Sequence, residues 1–193
     1  MSLEDFRTLV LAQSEPYVRD RAFCALLARE SGLGAERMAV VGGSALEIYT
    51  TGDYVSQDID ILAEDAGKVE SVLRTWGFKK RGMYWDNPEF AKSVQIVGRV
   101  DSGSRSRNVV VSTECGPVRL ASMEDIIWKR TYEARGWNRP EALDEAALLV
   151  LRYYDRLDWD YISRMAAENG VGDLAADLKR TRGTLTASAV RRS

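Results

Sequence analysis

The stretch "GGSALEIYTTGDYVSQDID", residues 42–60, decides how the chain is read. It follows a short apolar run, "MAVV", so two glycines and a serine stand at the end of a predicted strand. A strand ending in Gly-Gly can bring its backbone against a ligand, because no Cβ intrudes. If a helix opens near Ser44, its first amides are unsatisfied and form a ready anion site. Taken alone, this is also how an ordinary strand-to-helix turn with a serine cap would look.

The end of the stretch is the second half of the question. "DIDIL" alternates acid and apolar, the period of a strand. Asp58 and Asp60 therefore share one face, and Ile59 and Ile61 share the other. The two carboxylates stand about 7 Å apart by the strand repeat and repel each other. Asp is a poor strand former, so a solvated edge is one reading and a divalent cation between the acids is the other. Mg²⁺ suits the second, since it takes one or two carboxylates together with phosphate oxygens and water. Thirteen residues lie between Ser44 and Asp58, enough for one short helix and a return. The glycine turn and the acid strand can then lie side by side in one sheet.

Working outward, "EPYVRDRAFCALLARESG" reads as an amphipathic helix, "SALEIYTTG" as a short helix stopped by Gly52, and "AGKVESVLRTWG" as a helix closed by Gly77. The runs "FKKRGMYW", "AKSVQIVGRV", "NVVVSTE" and "PVRL" read as strands. From "ASMEDIIWKR" onward the pattern is helical, with Ser122 and Asp125 spaced as a capping box. The expected fold class is α+β with an α/β-like core: a mixed sheet with helices packed on it and a C-terminal helical region. The expected division is residues 1–120 for the core with its N-terminal helix, 121–185 for the helical region, and 186–193 for a flexible tail.

Composition narrows the chemistry. The chain has 193 residues, 45% of them apolar and 29% charged, with net charge −2. Nothing in that balance suggests bulk attraction to nucleic acid or to an anionic membrane. There is no histidine, which excludes His-based triads, His-ligated zinc and imidazole acid–base catalysis. Two distant cysteines, Cys24 and Cys115, fit reduced thiols in a cytoplasmic protein. The start, "MSLEDFRTLV", lacks the features of a signal peptide, and no apolar run reaches membrane-spanning length.

The order Gly42-Gly43-Ser44, a gap, then Asp58-x-Asp60 resembles the signature of the nucleotidyltransferase superfamily with the DNA polymerase β-like fold. The regions around Trp85, "SVQIVG" and "GPVRLASMEDIIWKR" follow in the order of small prokaryotic members, some similar to abortive-infection toxins. The resemblance implies that Asp58 and Asp60 bind Mg²⁺, that Gly42, Gly43 and Ser44 hold the phosphates of an NTP, and that a hydroxyl acceptor receives the NMP group. That acceptor could be a small molecule, a protein or an RNA, and a toxin–antitoxin partner is a further implication. Lys129 or Arg130, on the following helix, could reach the triphosphate. No membrane partner is expected.

One departure stands out. The family usually carries a third carboxylate on a neighbouring strand, where this sequence has Gln95. Glutamine can coordinate weakly through its carbonyl but is no base near neutral pH. Loss of a general base is worth roughly 10²–10⁴-fold in rate. The sequence therefore also admits a degenerate member that binds a nucleotide or partner without transfer. Asp101 or Glu114 could substitute from an adjoining loop or strand. The second acid pair, Asp158 and Asp160, reads as a helix cap. Lys79, Lys80 and Arg81 read as a solvated face, while Arg105 and Arg107 lie in a polar loop suited to touching an acceptor. Trp76, Trp128 and Trp159 read as core, and Trp85 is left open.

Overall fold

The computed structural model describes residues 1–100 and 107–190, with side chains to Thr181. It divides into two compact units, Met1–Ala121 and Ser122–Ser193. Among the described residues, no helix is long and apolar enough to cross a membrane.

The first unit is built on a sheet of seven described strands: β1 (Met38–Val41), β2 (Asp58–Ala63), β3 (Lys79–Arg81), β4 (Tyr84–Asp86), β5 (Ser93–Gly98), β6 (Val109–Thr113) and β7 (Gly116–Leu120). Their order is β3-β4-β5-β2-β1-β7-β6. The sheet is mixed. β2 runs antiparallel to β1 and parallel to β5, and β7 runs parallel to β1. The end of β1, the starts of β2 and β5, and the ends of β4 and β7 therefore meet along one strand-end edge of the sheet, and β2 lies inside the sheet between β1 and β5, not at the solvated edge its acids also allowed.

The helices explain why one face of the sheet is dry. α1 (Leu3–Phe6) starts at Ser2, which forms a capping box with Asp5, and continues as a π-helical turn, Arg7–Leu11. α2 (Pro16–Glu30) begins with Pro, whose missing N–H is no loss in a first turn. It buries Phe23, Leu26 and Leu27. After the short α3 (Gly34–Arg37) and the site helix α4 (Gly42–Thr50) comes α5 (Ala66–Thr75), capped by Asp65 accepting from the Lys68 amide at 3.3 Å. Phe6 stacks on Trp76 and Phe23 on Phe90, with centroids 4.9 and 4.6 Å apart, and Phe78 joins both pairs edge-on or tilted. Each buried aromatic contributes roughly 1.5–3 kcal/mol by leaving water. The N-terminal residues, read from sequence only as lacking a signal peptide, thus help to close this core through Phe6.

Two features differ from the sequence reading. "FKKRGMYW" is a hairpin, β3–β4, because Gly82 adopts φ +61° and turns the chain between Arg81 and Tyr84. Trp85 is 1% exposed and belongs to the core side, beneath the cations of Arg74 and Lys80.

The second unit is helical: α6 (Met123–Gly136), α7 (Glu141–Tyr153), α8 (Trp159–Glu168) and α9 (Gly172–Val190). Ser122 caps α6 by accepting from the Asp125 amide, and Asp158 caps α8 by accepting from that of Tyr161. The backbone of α9 continues to Val190, into the segment 186–193 expected to be a tail; residues 191–193 lie outside the described residues.

Candidate active site

The site is built where β1 hands over to α4. Val41 is extended and Gly42 turns at φ +60°, a region where a side chain would be strained. Sterics add a second reason for glycine. A Cβ at residue 42 would lie 2.7 Å from Asp60 Oδ2, and one at residue 43 would lie 2.6 Å from Ser56 Oγ. Gly42 thus answers to its positive φ and to the approach of the turn to Asp60, while Gly43 stands against Ser56 and Tyr54 of the loop before β2. No side chain caps the start of α4, so its first-turn amides carry the positive end of the helix dipole unscreened by a cap.

β2 alternates as its sequence dictates: Asp58 and Asp60 are half-buried on one face, Ile59 and Ile61 fully buried on the other. Asp60 pairs in register with Val41 on one side and Gln95 on the other. Asp58 pairs with Ser93 and receives a long hydrogen bond from Ser56 Oγ, 3.5 Å to Oδ1. Gly42, Gly43, Asp58, Asp60 and Gln95 are therefore brought together at one edge. The Gln95 amide donates toward Met83 Sδ at 2.9 Å.

Ser44 differs from the expected phosphate-binding hydroxyl or cap. It is the third residue of α4, 2% exposed, and its Oγ donates to the Asp58 carbonyl oxygen at 2.6 Å. The hydroxyl ties α4 to β2. Arg130 also differs. It is buried in the helical unit and ion-paired there with Glu133 and Glu145, so its charge is neutralised locally and is not held out for a triphosphate. Lys129 beside it is exposed, with Nζ 5.6 Å from the Trp128 ring. Glu114 lies in the β6–β7 turn. Because Leu120 of β7 pairs with Val40, that turn is at the far end of the sheet from Gly42, and Glu114 cannot supply the third carboxylate. Asp101 and Arg105 lie outside the described residues.

Sequence reasoning missed two sets of residues. The first is a buried charge cluster behind α4. The Lys92 ammonium donates to both Asp20 and Glu47, all three being under 10% exposed. Glu47 also accepts from the Ser56 amide at 2.8 Å, which folds the loop before β2 back onto α4. Burial pushes the Asp20 carboxyl above its ordinary 3.8, against the opposing pull of Lys92. A charged residue in the otherwise apolar "SALEIYT" was the only local sign of this cluster. The second is Asp86. The Trp85–Val94 register sets it opposite Ser93, whose hydroxyl donates to Asp86 Oδ1 at 2.5 Å.

The acid pair fits a hard divalent cation. Its donors are oxygens, its carboxylates share a face, and Gly42 leaves room that a Cβ would fill. Among the described residues no three Asp, Glu or Cys side chains gather as a metal cage, so the donor set is an open one.

A mixed sheet carrying a glycine turn beside an acid strand, with helices packed on it, makes the chain an α+β protein, and solved structures share this fold. Among solved structures, the antibiotic-resistance factor ANT(2'')-Ia superposes with a TM-score of 0.51 at 15% identity, covering 91% of this chain and 98% of that one. JHP933 from Helicobacter pylori (TM-score 0.46, 11% identity, 93% and 99% covered) and the nucleotidyltransferase toxin MenT4 from Mycobacterium tuberculosis (0.41, 15%, 86% and 69%) are more distant in shape. No family model matches the sequence, and no curated protein is similar to it.

Proposed function

We propose that the chain is a Mg²⁺-dependent nucleotidyltransferase that moves an NMP group from an NTP to a hydroxyl acceptor. The observation that carries this reading is the contact between the Gly42 turn and the Asp60 carboxylate. Asp58 and Asp60 would hold the metal, which when bound supplies charge neutralisation at the triphosphate. Gly42 and Gly43 let the backbone approach the phosphates, and the first amides of α4 face them with the positive end of the helix dipole. Ser44 and Ser56 hold β2 against α4, so that acids and amides keep a fixed spacing. The acceptor oxygen attacks the α-phosphorus and pyrophosphate leaves, with catalysis by positioning and charge and no covalent protein intermediate. The fold shared with ANT(2'')-Ia supports the reading.

A second reading is favoured by Gln95: a member that binds the nucleotide without transferring it. Incubation with each α-labelled NTP and a panel of hydroxyl acceptors separates the two, alongside calorimetry with Mg²⁺ and a non-hydrolysable NTP. Label transfer by the wild type, with binding lost in Asp60→Asn, supports the transferase. Binding without transfer, with transfer gained in Gln95→Glu, supports the second reading. No binding of either ligand sinks both. The toxin implication is tested separately: bacterial growth arrest on expression of the wild type and not of Asp60→Asn supports it.

A further inference from the structure

One strand beyond Gln95, β4 carries a further carboxylate, Asp86. Two rows of side chains cross the site face of the sheet. One runs Tyr84, Gln95, Asp60, and the other runs Asp86, Ser93, Asp58. Neighbouring strands are about 4.8 Å apart, so Ser93 stands directly between the two carboxylates of its row. Its hydroxyl already donates to Asp86 at 2.5 Å, which leaves the serine oxygen's acceptor side for another donor. Asp86 is half-buried, and its register partner on β3 is the exposed Lys79.

We propose that Ser93 and Asp86 form the proton path that Gln95 cannot provide, an inference that rests on the nucleotidyl-transfer reading. The attacking hydroxyl gives its proton to Ser93 Oγ as its oxygen bonds to the α-phosphorus. Ser93 passes its own proton to Asp86 Oδ1. The bond from the α-phosphorus to the β-phosphate oxygen breaks, and pyrophosphate carries away that electron pair. Ser93 ends as it began and Asp86 ends protonated. Ser93 is thus a catalytic residue, and Asp86 acts through it.

The test compares wild type, Asp86→Asn, Ser93→Ala, Asp86→Glu and the double variant Asp86→Asn/Gln95→Glu. Two quantities are read: pyrophosphate release from NTPs with concentrated glycerol as the hydroxyl donor, and binding of Mg²⁺ with a non-hydrolysable NTP by calorimetry. We expect kcat to fall about 10²–10⁴-fold in Asp86→Asn and Ser93→Ala, the range for loss of a general base, with nucleotide affinity unchanged. Asp86→Glu keeps part of the rate, and the double variant regains rate because a carboxylate returns beside Asp60. An undiminished rate in Asp86→Asn overturns the proposal. So does parallel loss of rate and binding, which marks Asp86 as structural. Binding by the wild type without any release also overturns it, while leaving nucleotide recognition standing. If the wild type neither binds nor releases, the parent reading falls and this one with it.

Discussion

The first unit holds two pairs of carboxylates, and they meet opposite environments. Asp20 and Glu47 are buried, and Lys92 lies between them as a protein-supplied cation. Asp58 and Asp60 are half-exposed at the strand-end edge of the sheet, where Asp58 is met by a serine hydroxyl and Asp60 lies so near Gly42 that a Cβ there would crowd it. Both pairs face the same like-charge repulsion. The buried pair resolves it with a lysine that the chain must carry in every state. The edge pair has solvent access, which suits a cation that comes and goes with a substrate. The contrast separates an acid pair that holds the fold from one suited to chemistry, and only the second was marked by its spacing in the sequence.

Either acid pair can be perturbed by substitution. The largest effect is expected for Lys92→Met. Removing the cation leaves two buried carboxylates uncompensated, at a cost of about 3–5 kcal/mol in unfolding free energy. Urea unfolding measures it, and a loss below about 1 kcal/mol would mean that the pair is not buried in the way described. Glu47→Gln should cost less, roughly 1–3 kcal/mol, because the amide oxygen can still accept from the Ser56 N–H while the charge contact with Lys92 is lost.

Asp20→Asn acts through pH. Burial raises the Asp20 carboxyl above 3.8, so the folded protein keeps that proton where the unfolded chain has released it. The contribution of this group is complete below the unfolded value and declines as pH rises through the folded one. The stability of Asp20→Asn relative to wild type should therefore increase with pH above 3.8; a flat difference would show that Asp20 titrates alike in both states. The smallest effect belongs to the edge pair. Asp60→Asn should stay within about 0.5 kcal/mol of wild type in unfolding, as surface substitutions do. A large loss there would make Asp60 a structural acid like Asp20.

The same contrast explains what could be read from sequence. Gly42, Gly43, Asp58 and Asp60 were legible because their constraints are local: a positive φ, an intrusive Cβ and a two-residue period. The α+β order was legible for the same reason. Lys92 was not, since its partners are 72 and 45 positions away and nothing in "EFAKSV" announces them. Asp86 falls just past the run "FKKRGMYW" that was read as one strand, and the turn at Gly82 makes it the last residue of β4, opposite Ser93. Ser44 carried the right residue type, but its hydroxyl direction depends on where β2 lies. Arg130 was read as an outward cation because Glu133 and Glu145 close on it only once α6 and α7 are formed.

α4 joins the two acid pairs. Every residue from Gly43 to Thr50 is buried, and Glu47 is fastened one turn behind the glycines. A rod so tightly seated has little freedom to swivel when a guest arrives. Recognition at its tip should resemble a key entering a rigid lock, with a small ordering entropy and almost no backbone displacement between empty and loaded forms.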